Sequence, residues 1–242
     1  MPRIYVNTAI AIHSEISIEG SAANHIGRVL RLKPGDEITL FNGNGGEYSA
    51  TLSTIERQTV RAQVKAFNPR ESESPLQITL AQGISRGERM DYTLQKSVEL
   101  GVNRIIPLTT ERCGVKLDEK RAAKRLLHWQ GILISACEQC GRNRVPEILP
   151  ITSLSHWLGE DRGNTLQLVL HHRATHSLRQ LAPPTGEIAL LIGPEGGLSE
   201  NEIENASQRG FQGIQFGPRV LRTETASVAA LAALQTHWGD LG

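Results

Sequence analysis

From Pro75 onward, short apolar runs alternate with longer segments in which apolar residues recur at helical spacing. Runs such as LQITLAQ, RIIPLTT and IALLIG are apolar almost throughout, which is typical of strands buried on both faces. Such strands form parallel sheets whose two faces are covered by the intervening helices. The pattern predicts a parallel α/β domain over residues 73–242.

The first 72 residues follow a different pattern, in which short strands are alternating or rich in β-branched residues. The stretch NGNGG, at 42–46, lies between two of them and is a strong hairpin signal. One short helix is expected at SAANHIGRVL, with Ser21 as its N-cap. The polar stretch NPRESESP that follows the strands is typical of a linker. We therefore expect a small β-barrel domain over residues 1–72.

Composition limits the class of protein. Of 242 residues, 39% are hydrophobic and 21% are charged, as in globular proteins with their own core. No run approaches the roughly 20 apolar residues of a membrane span, and the N-terminal residues lack the apolar stretch of a secretory signal. Three cysteines do not suggest a disulfide framework. We expect a cytoplasmic protein with no membrane partner.

Charge is uneven along the chain. The formal net charge of +1 does not indicate a nucleic-acid-binding protein. The segment from Arg112 to Arg144, however, carries eight basic residues against three acidic ones. Charge alone fits a solvated helix face as well as it fits an RNA contact.

Three loops follow expected strands: HHR after Leu170, IGPEGG from Ile192 and FGPRVLR from Phe216. Ligands of open α/β sheets bind beyond the carboxyl ends of the strands. Two of the loops share a Gly-Pro corner, in which glycine permits a sharp turn and proline stiffens it. Neither a dinucleotide fingerprint nor a Walker A loop is present. The matched pair of corners favours a ligand site over two ordinary βα turns. A nucleoside-type ligand without a phosphate chain would suit such loops.

Six segments, in this order, carry a resemblance to a known family: SRGERM, QKSVELGV, ERCGVKL, CEQCGRNRVPEI, LLIGPEGGLSENEI and GPRVLRTETA. They resemble the RsmE-type rRNA uridine-N3 methyltransferases, which belong to the SPOUT class. The pair LIGPEGG and RVLRTETA is highly specific. The resemblance runs from about Leu76 to the C-terminus, and the N-terminal part fits the family's small PUA-like barrel. One departure is HHR at 171–173, where close relatives are expected to have His-Pro-Arg.

The resemblance implies properties that the patterns do not show. It implies a C-terminal trefoil knot in the parallel sheet, which pattern reasoning would not propose because knots are rare. It implies S-adenosylmethionine as cofactor and a homodimer with the site near the subunit interface. The implied reaction is methylation of N3 of one uridine in small-subunit (16S) rRNA, in the assembled 30S subunit. No metal is expected, because the methyl donor is already activated. The histidines, including those of HHRATH, are also not spaced like the ligands of a known metal site.

The resemblance also assigns the cofactor site to the three loops. Most contacts would come from the backbone, with Ile192 and Leu221 packing against the adenine. The expected cofactor-binding residues are Leu170, His171, Ile192, Gly193, Pro194, Glu195, Gly196, Gly197, Phe216, Gly217, Val220, Leu221 and Arg222.

Candidate catalytic residues come from two motifs. The stretch EQCGR resembles the first SPOUT motif, which makes Arg142 the first candidate to stabilise the uracil anion, since arginine is a poor base. Glu138 and Glu224 are candidates for the proton acceptor. Arg222 and Glu224 contact the uracil or only hold the loops in place. From spacing alone, Glu138 and Arg142 are better explained as an ordinary i,i+4 surface pair.

Basic residues outside these motifs are expected to contact RNA phosphates, which gives affinity without reading sequence. They are Arg3, Arg28, Arg31, Arg86, Arg89, Arg112 and Lys116. Two other functions remain open at this point. One is a non-catalytic RNA-binding ribosome assembly factor, which the intact GPEGG and RTETA disfavour. The other is a related SPOUT methylase acting on ribose 2′-O or on tRNA, which the RVLRTETA form disfavours.

Overall fold

The computed structural model describes residues 1–115, 118–163 and 165–242. The chain forms two compact units. The first unit comprises Met1–Glu73 and Cys137–Val145, and the second comprises Ser74–Ala136 and Pro146–Gly242. No local pattern in the sequence indicates that Cys137–Val145, from the middle of the chain, belongs with the N-terminal residues.

The first unit is built on a five-stranded sheet in the order β1–β3–β4–β5–β2. The strands are β1 (Arg3–Tyr5), β2 (Glu15–Glu19), β3 (Glu37–Phe41), β4 (Glu47–Ile55) and β5 (Thr59–Asn68). β1 and β3 pair in parallel, and the other neighbours pair antiparallel. The hairpin predicted at 42–46 is confirmed, because this stretch joins β3 to its antiparallel partner β4.

This sheet curls into a half-barrel around an apolar core. Two irregularities in β4, at Ser49/Ala50 and Leu52/Thr54, shift its register against β5. Bulges of this kind bend a strand and increase its twist. Side chains alternate along β2, so that Ile16 and Ile18 are buried in the core while their neighbours face outward.

The helix of the first unit differs from expectation at its start. A short helix α1 (Gly20–Asn24) continues into a π-helix at His25–Val29. The N-cap position is Glu19, without a side-chain cap bond, so the prediction of Ser21 as N-cap is wrong. Gly20 has a φ of 63° and turns the chain out of β2 one residue early, which leaves Ser21 inside the first turn.

The second unit confirms the predicted parallel α/β fold. Its sheet has the order β12–β10–β11–β6–β7–β8, with β9 also paired to β7, and all of these described pairings are parallel. The strands are β6 (Ile78–Gly83), β7 (Arg104–Thr109), β8 (Glu147–Ile148), β9 (Thr152–Ser153), β10 (Leu166–Leu170), β11 (Ile188–Ile192) and β12 (Gln212–Ile214). Every residue of β11 is buried, as the uniformly apolar run IALLI requires.

Helices alternate with these strands. They are α2 (Glu88–Glu99), α3 (Glu119–Cys140, whose last turn belongs to the first unit), α4 (Leu154–Leu158), α5 (Glu200–Gln208) and α6 (Thr223–Trp238), with a 3₁₀ turn at Leu178–Gln180. α5 begins with a capping box, in which the Ser199 hydroxyl accepts from the Glu202 N–H at 3.1 Å and the Glu202 carboxylate accepts from the Ser199 N–H at 2.8 Å.

Within residues 1–115, 118–163 and 165–242, no helix combines the length and apolar character needed to cross a membrane. The trefoil knot implied by the family resemblance stays a prediction.

Candidate active site

The three loops selected from the sequence meet at one edge of the second unit's sheet. β10 lies between β12 and β11, with Leu170 opposite Ile214 and Val169 opposite Leu191. Because the three strands are parallel, their carboxyl ends lie at the same edge, where ligands of α/β sheets bind. The loop after each strand therefore contributes to one site.

A cavity of about 460 Å³ lies between these loops, within the size range of small-molecule sites. All of the predicted cofactor-binding residues line it: Leu170, His171, Ile192, Gly193, Pro194, Glu195, Gly196, Gly197, Phe216, Gly217, Val220, Leu221 and Arg222. Thr223 and Glu224, at the start of α6, line it as well. Cofactor contact by the thirteen predicted residues stays a prediction, but the structure brings that whole set together.

The first Gly-Pro corner, at Gly193, is tightly packed. A Cβ at this position would lie 2.9 Å from the backbone nitrogen of Leu198 and 3.0 Å from the carbonyl carbon of Gly197. Gly197 itself has a φ of 68°, and its N–H donates to the Pro194 carbonyl at 2.8 Å. The lack of room at Gly193 and the left-handed backbone at Gly197 both favour glycine in this loop.

Thr223 holds this corner from the adjoining helix. Its hydroxyl donates to the Gly193 carbonyl at 2.7 Å, whereas Arg222 occupies the N-cap position of α6 without a side-chain cap bond. The threonine therefore bonds the loop rather than capping the helix. Sequence reasoning did not select Gln82, whose amide also reaches Thr223, although a polar residue near the end of the apolar strand LQITLAQ is a visible signal.

Glu195 binds the loop that precedes α2. Its Oε1 accepts from the Arg86 N–H at 2.7 Å and from the Arg89 guanidinium at 3.1 Å. Burial by itself raises the pKa of this carboxyl, but the hydrogen bonds and the positive charge of Arg89 outweigh it, so the pKa of Glu195 lies below its ordinary value. The charged form is the one that fastens the two loops.

The side chains of Arg112 and Arg86 bind backbone carbonyls. Arg112 donates to Gly196 at 3.2 Å and to Leu198 at 3.3 Å. The Arg86 guanidinium donates to Gly114 at 3.1 and 3.2 Å. Arg86, Arg89 and Arg112 therefore all hold loops of the second unit, while their contact with RNA stays a prediction.

The second Gly-Pro corner, at Gly217, is built differently. Gly217 has a φ of 69°, and the stretch 217–220 is exposed, with Val220 77% accessible. A Cβ at Gly217 would approach only the flexible end of Arg219, at 3.3 Å. This wall of the cavity is shaped by its own backbone conformation rather than by packing.

Glu224 offers an unbonded acceptor beside the cavity. Its Oε2 is buried and has no hydrogen-bond partner among the residues that the structure describes. A buried polar atom without a partner is costly, so it marks a position where a ligand donor would be favourable. The carboxylate is thus placed to accept a hydrogen bond or a proton.

His171 lines the cavity in the unusual HHR loop. Burial, together with His172 and Arg173, lowers the pKa of His171 below its ordinary value. Its ring lies edge-on to that of His172, with 5.2 Å between centroids. The imidazole is therefore neutral at neutral pH, and it adds no positive charge to a site expected to hold a sulfonium.

Glu138 and Arg142 lie in the first unit, and the cavity belongs to the second. The Arg142 side chain is 4% exposed, and it donates to both carboxylate oxygens of Glu73 from Nε, at 3.1 and 3.2 Å, and to Oε2 from Nη2 at 2.5 Å. Glu138 accepts from the Tyr5 N–H at 3.0 Å, and burial raises the pKa of Glu138. These bonds differ from the ordinary i,i+4 surface pair that spacing alone favours, and the catalytic roles stay predictions.

The other expected RNA contacts have different surroundings. Arg3 forms an ion pair with Glu47 and donates to Asn143, so its guanidinium binds partners within the first unit. Arg28 and Arg31 are exposed. Lys116 lies outside the described residues. RNA contact by any of these four side chains stays a prediction.

Comparison with known proteins gives the chain a family. Residues 72–235 match the family model of an RNA methyltransferase domain, and residues 18–65 match that of an RNA methyltransferase PUA domain. Ribosomal RNA small subunit methyltransferase E of Buchnera aphidicola subsp. Schizaphis graminum is 40% identical over 241 residues, which cover 100% of this chain and 98% of that protein.

Solved structures agree with this. The crystal structure of a ribosomal RNA small subunit methyltransferase E from Neisseria gonorrhoeae, bound to S-adenosyl methionine, is 44% identical with a TM-score of 0.94 over 100% of both chains. A putative methyltransferase of Legionella pneumophila in complex with the bound cofactor SAM is 43% identical, with a TM-score of 0.96 over 99% of this chain and 98% of that one. By its sequence and by both of its parts, the present chain belongs to the ribosomal RNA small subunit methyltransferase E family.

Proposed function

We propose that this protein transfers the methyl group of S-adenosylmethionine to N3 of one uridine in small-subunit (16S) rRNA, in the assembled 30S subunit. The cavity at the carboxyl edge of the sheet is the observation that carries the proposal, since it unites all of the cofactor residues expected from the family motifs. Such an enzyme would act in the cytoplasm, where ribosomal subunits are assembled.

The residues around the cavity fit the cofactor. The backbone of the first corner carries no side chains at Gly193, Gly196 and Gly197, and a Cβ at Gly196 would already approach Arg112 to 3.0 Å. Ile192 and Leu221 supply apolar surface for an adenine. When bound, S-adenosylmethionine supplies an electrophilic methyl group on a positively charged sulfur.

The protein must then prepare the acceptor. N3 of uracil carries a weakly acidic proton, and its lone pair becomes available only as that proton leaves. In the transfer, the N3–C bond forms, the C–S bond breaks, and the N3 proton goes to a base on the protein. Alignment of N3, removal of the proton and stabilisation of the uracil anion are therefore the three tasks of the side chains.

We assign the proton to Glu224. Its Oε2 is buried beside the cavity without a partner in the described part of the chain. The alternative acceptor, Glu138, is already bonded to the Tyr5 N–H in the first unit. Arg222 also lines the cavity and would support the anion there.

Arg142 remains the motif-based candidate for stabilising the uracil anion, and its test must separate catalysis from folding. Arg142→Ala leaves Glu73 unpaired in a largely buried position, which costs about 3 kcal/mol of stability. Glu73→Gln is the matched control, because it weakens the same pair but keeps the arginine. We expect single-turnover methylation at saturating cofactor to fall about 100-fold in Arg142→Ala and to persist in Glu73→Gln. Equal losses in both variants would make Arg142 structural.

We also propose a homodimer that covers α6. An apolar groove beside the second corner is lined by small residues one turn apart on this helix, Ala229 and Ala233, and by Leu178, Phe216 and Leu221. A second copy of the chain would bury this groove and the exposed 217–220 stretch. Sedimentation of Ala233→Glu as a monomer, beside a dimeric wild type, is the expected result.

The decisive experiment combines labelled cofactor with hypomethylated 30S subunits and locates the product by mass spectrometry. We expect one 3-methyluridine in 16S rRNA and little transfer to naked rRNA. Cofactor binding without transfer to any RNA would favour an assembly factor. Label on a ribose 2′-O or on tRNA would favour a related methylase and overturn the proposed acceptor.

A further inference from the structure

We propose that Gln82 is a positioning residue of the cofactor site, which it shapes without touching the ligand. The inference rests on the proposed function, since it concerns the same cavity. It assigns a role to a buried polar side chain that joins the first Gly-Pro corner, the end of β6 and the start of α6.

Gln82 stands near the carboxyl end of β6, directly opposite Ile192 of the neighbouring strand β11. Its side chain is completely buried, in a strand whose other residues are mostly apolar. An amide loses its water on burial and is tolerated only where the protein supplies replacement hydrogen bonds. The bonds that Gln82 makes therefore indicate what the residue is for.

All of the polar atoms of this amide are used. Nε2 donates to the Thr223 hydroxyl at 3.0 Å, to the Gly83 carbonyl at 3.0 Å and, more weakly, to the Gly193 carbonyl at 3.4 Å. Oε1 accepts from the Ser227 hydroxyl at 2.6 Å. Carbonyl oxygens only accept, so Gly83 and Gly193 fix which end of the amide carries the hydrogens.

The bonds form a directed chain that ends at the cavity. Gln82 donates to the Thr223 hydroxyl, and this hydroxyl in turn donates to the Gly193 carbonyl at 2.7 Å. Gly193 and Thr223 both line the cavity, and Thr223 is followed directly by Glu224. The amide of Gln82 thus sets the first corner relative to the carboxylate that we assign to the proton.

The end of β6 and the first corner approach each other closely at this junction. A Cβ on Gly83 would lie 2.5 Å from both the nitrogen and the Cδ of Pro194. The end of β6 therefore contacts the corner backbone directly, and a small shift of the corner is transmitted to β6 and back. A polar network at such a contact selects one arrangement among several that packing alone would allow.

The far end of α6 supplies a matched control. Gln235 is 1% exposed, and it also joins the helix to other segments of the second unit by both ends of its amide. Its Nε2 donates to the Leu100 carbonyl at 2.9 Å, and its Oε1 accepts from the Ser74 hydroxyl at 2.6 Å. It does not line the cavity. The two glutamines are the same residue type and are equally buried, and each bonds α6 to another segment.

The experiment compares Gln82→Met with Gln235→Met, since methionine keeps the shape and removes the polar atoms. Both variants should unfold at a lower temperature than the wild type. Isothermal titration with S-adenosylmethionine should show that Gln82→Met weakens binding about tenfold. This is the size of effect expected from the loss of one buried hydrogen bond. Gln235→Met should stay within about twofold of wild type on the same scale. Equal affinities in the two variants would overturn the inference.

A second readout does not depend on the cofactor. The Gly197 amide is bonded to the Pro194 carbonyl within the corner loop, so its hydrogen exchange reports the closure of that loop in the free protein. Exchange should be faster in Gln82→Met and unchanged in Gln235→Met. If the wild type failed to bind S-adenosylmethionine, the proposed function would be wrong. The exchange rates at Gly197 would still test whether Gln82 positions the corner.

Ser227→Ala keeps the test valid if Gln82→Met fails to fold. Alanine is favourable in a helix, and the change removes only the hydroxyl that orients the amide. We expect the same direction with a smaller size, about threefold in cofactor affinity. Unchanged affinity together with unchanged exchange at Gly197 would show that Gln82 does not position the site.

Discussion

The two Gly-Pro corners are alike in sequence and different in construction. At Gly193 the loop is closed by packing: a Cβ has no room, Thr223 binds the carbonyl, and Glu195 is held by Arg86 and Arg89. At Gly217 the loop is exposed, and its shape depends on the left-handed conformation of one glycine. One wall of the cavity is thus complete in the single chain.

The difference shows what a shared motif does not determine. The first corner follows a strand in the middle of the sheet, between β10 and β6, so both neighbours press on it. The second follows the edge strand β12, which in the described part of the chain pairs with one strand, β10, and makes one isolated bridge, from Ile214 to His176. We infer that the exposed wall is completed by the cofactor and, if the proposed homodimer forms, by its second subunit. The following predictions compare the two walls by the effect of substitutions in each, and they begin with Glu224, which follows the second wall.

The largest effect is expected from Glu224→Gln. The amide keeps the size and one acceptor but removes the base, so the single-turnover rate should fall about 1000-fold, within the range of general-base catalysis. Cofactor affinity measured by titration should stay near wild type. A wild-type rate at saturating cofactor would show that a group other than Glu224 accepts the N3 proton.

A large effect on binding is expected from Gly193→Ala. The added methyl would lie 2.9 Å from the Leu198 nitrogen, so the corner must move, and overpacking of this kind should weaken S-adenosylmethionine binding about 100-fold. The control is Gly131→Ala on α3, where nothing lies within 4 Å of the new Cβ. Calorimetric titration of both variants checks the prediction; equal affinities would mean that the first wall is not fixed by packing.

Gly217→Ala should weaken binding less, by about fivefold, because the left-handed conformation costs an alanine about 1 kcal/mol while the site has open space. Gly217→Asn should recover part of the loss, since asparagine tolerates this conformation better. The same titration decides it. A loss as large as that of Gly193→Ala would make the two corners equivalent.

The smallest effect is expected from Glu195→Gln, and it depends on pH. Because the pKa of Glu195 is lowered in the folded protein, its stabilisation is complete above the ordinary glutamate pKa of about 4.3 and is lost as the pH falls through the lowered value. At neutral pH the variant should therefore unfold at a slightly lower temperature than the wild type. The gap should close in acid, as thermal scans across pH would show; a gap that persists there would exclude the carboxylate as its source.

Much of this site could be predicted from the sequence because its signals are local. The strand-Gly-Pro loops, the glycines at 196 and 197 and the S-x-x-E capping box at Ser199 each lie within a few residues, and the structure brings the loops to one edge. What could not be predicted are the partners at long range. The pairing of Arg142 with Glu73 joins residues 69 positions apart, and no local pattern specifies it.

The same limit explains the inequality of the corners. Gly193 and Gly217 have similar neighbours in the chain, and only the position of each strand within the sheet distinguishes them. The role of Gln82 is hidden for the same reason, since its partners Thr223 and Ser227 follow more than half the chain later. Ser21 failed as a cap because a backbone turn at Gly20 outweighed the capping preference.

The hydrogen bond between Gln82 and Thr223 also has a consequence in time. It links residues 141 positions apart, so the first corner cannot take its final form until the last helix has been made and has docked. Contacts of such long range form late in folding, because the intervening chain must first be ordered. A nascent or partly folded chain therefore has no binding site, and cofactor that binds only the finished cavity shifts the balance towards the fully folded protein.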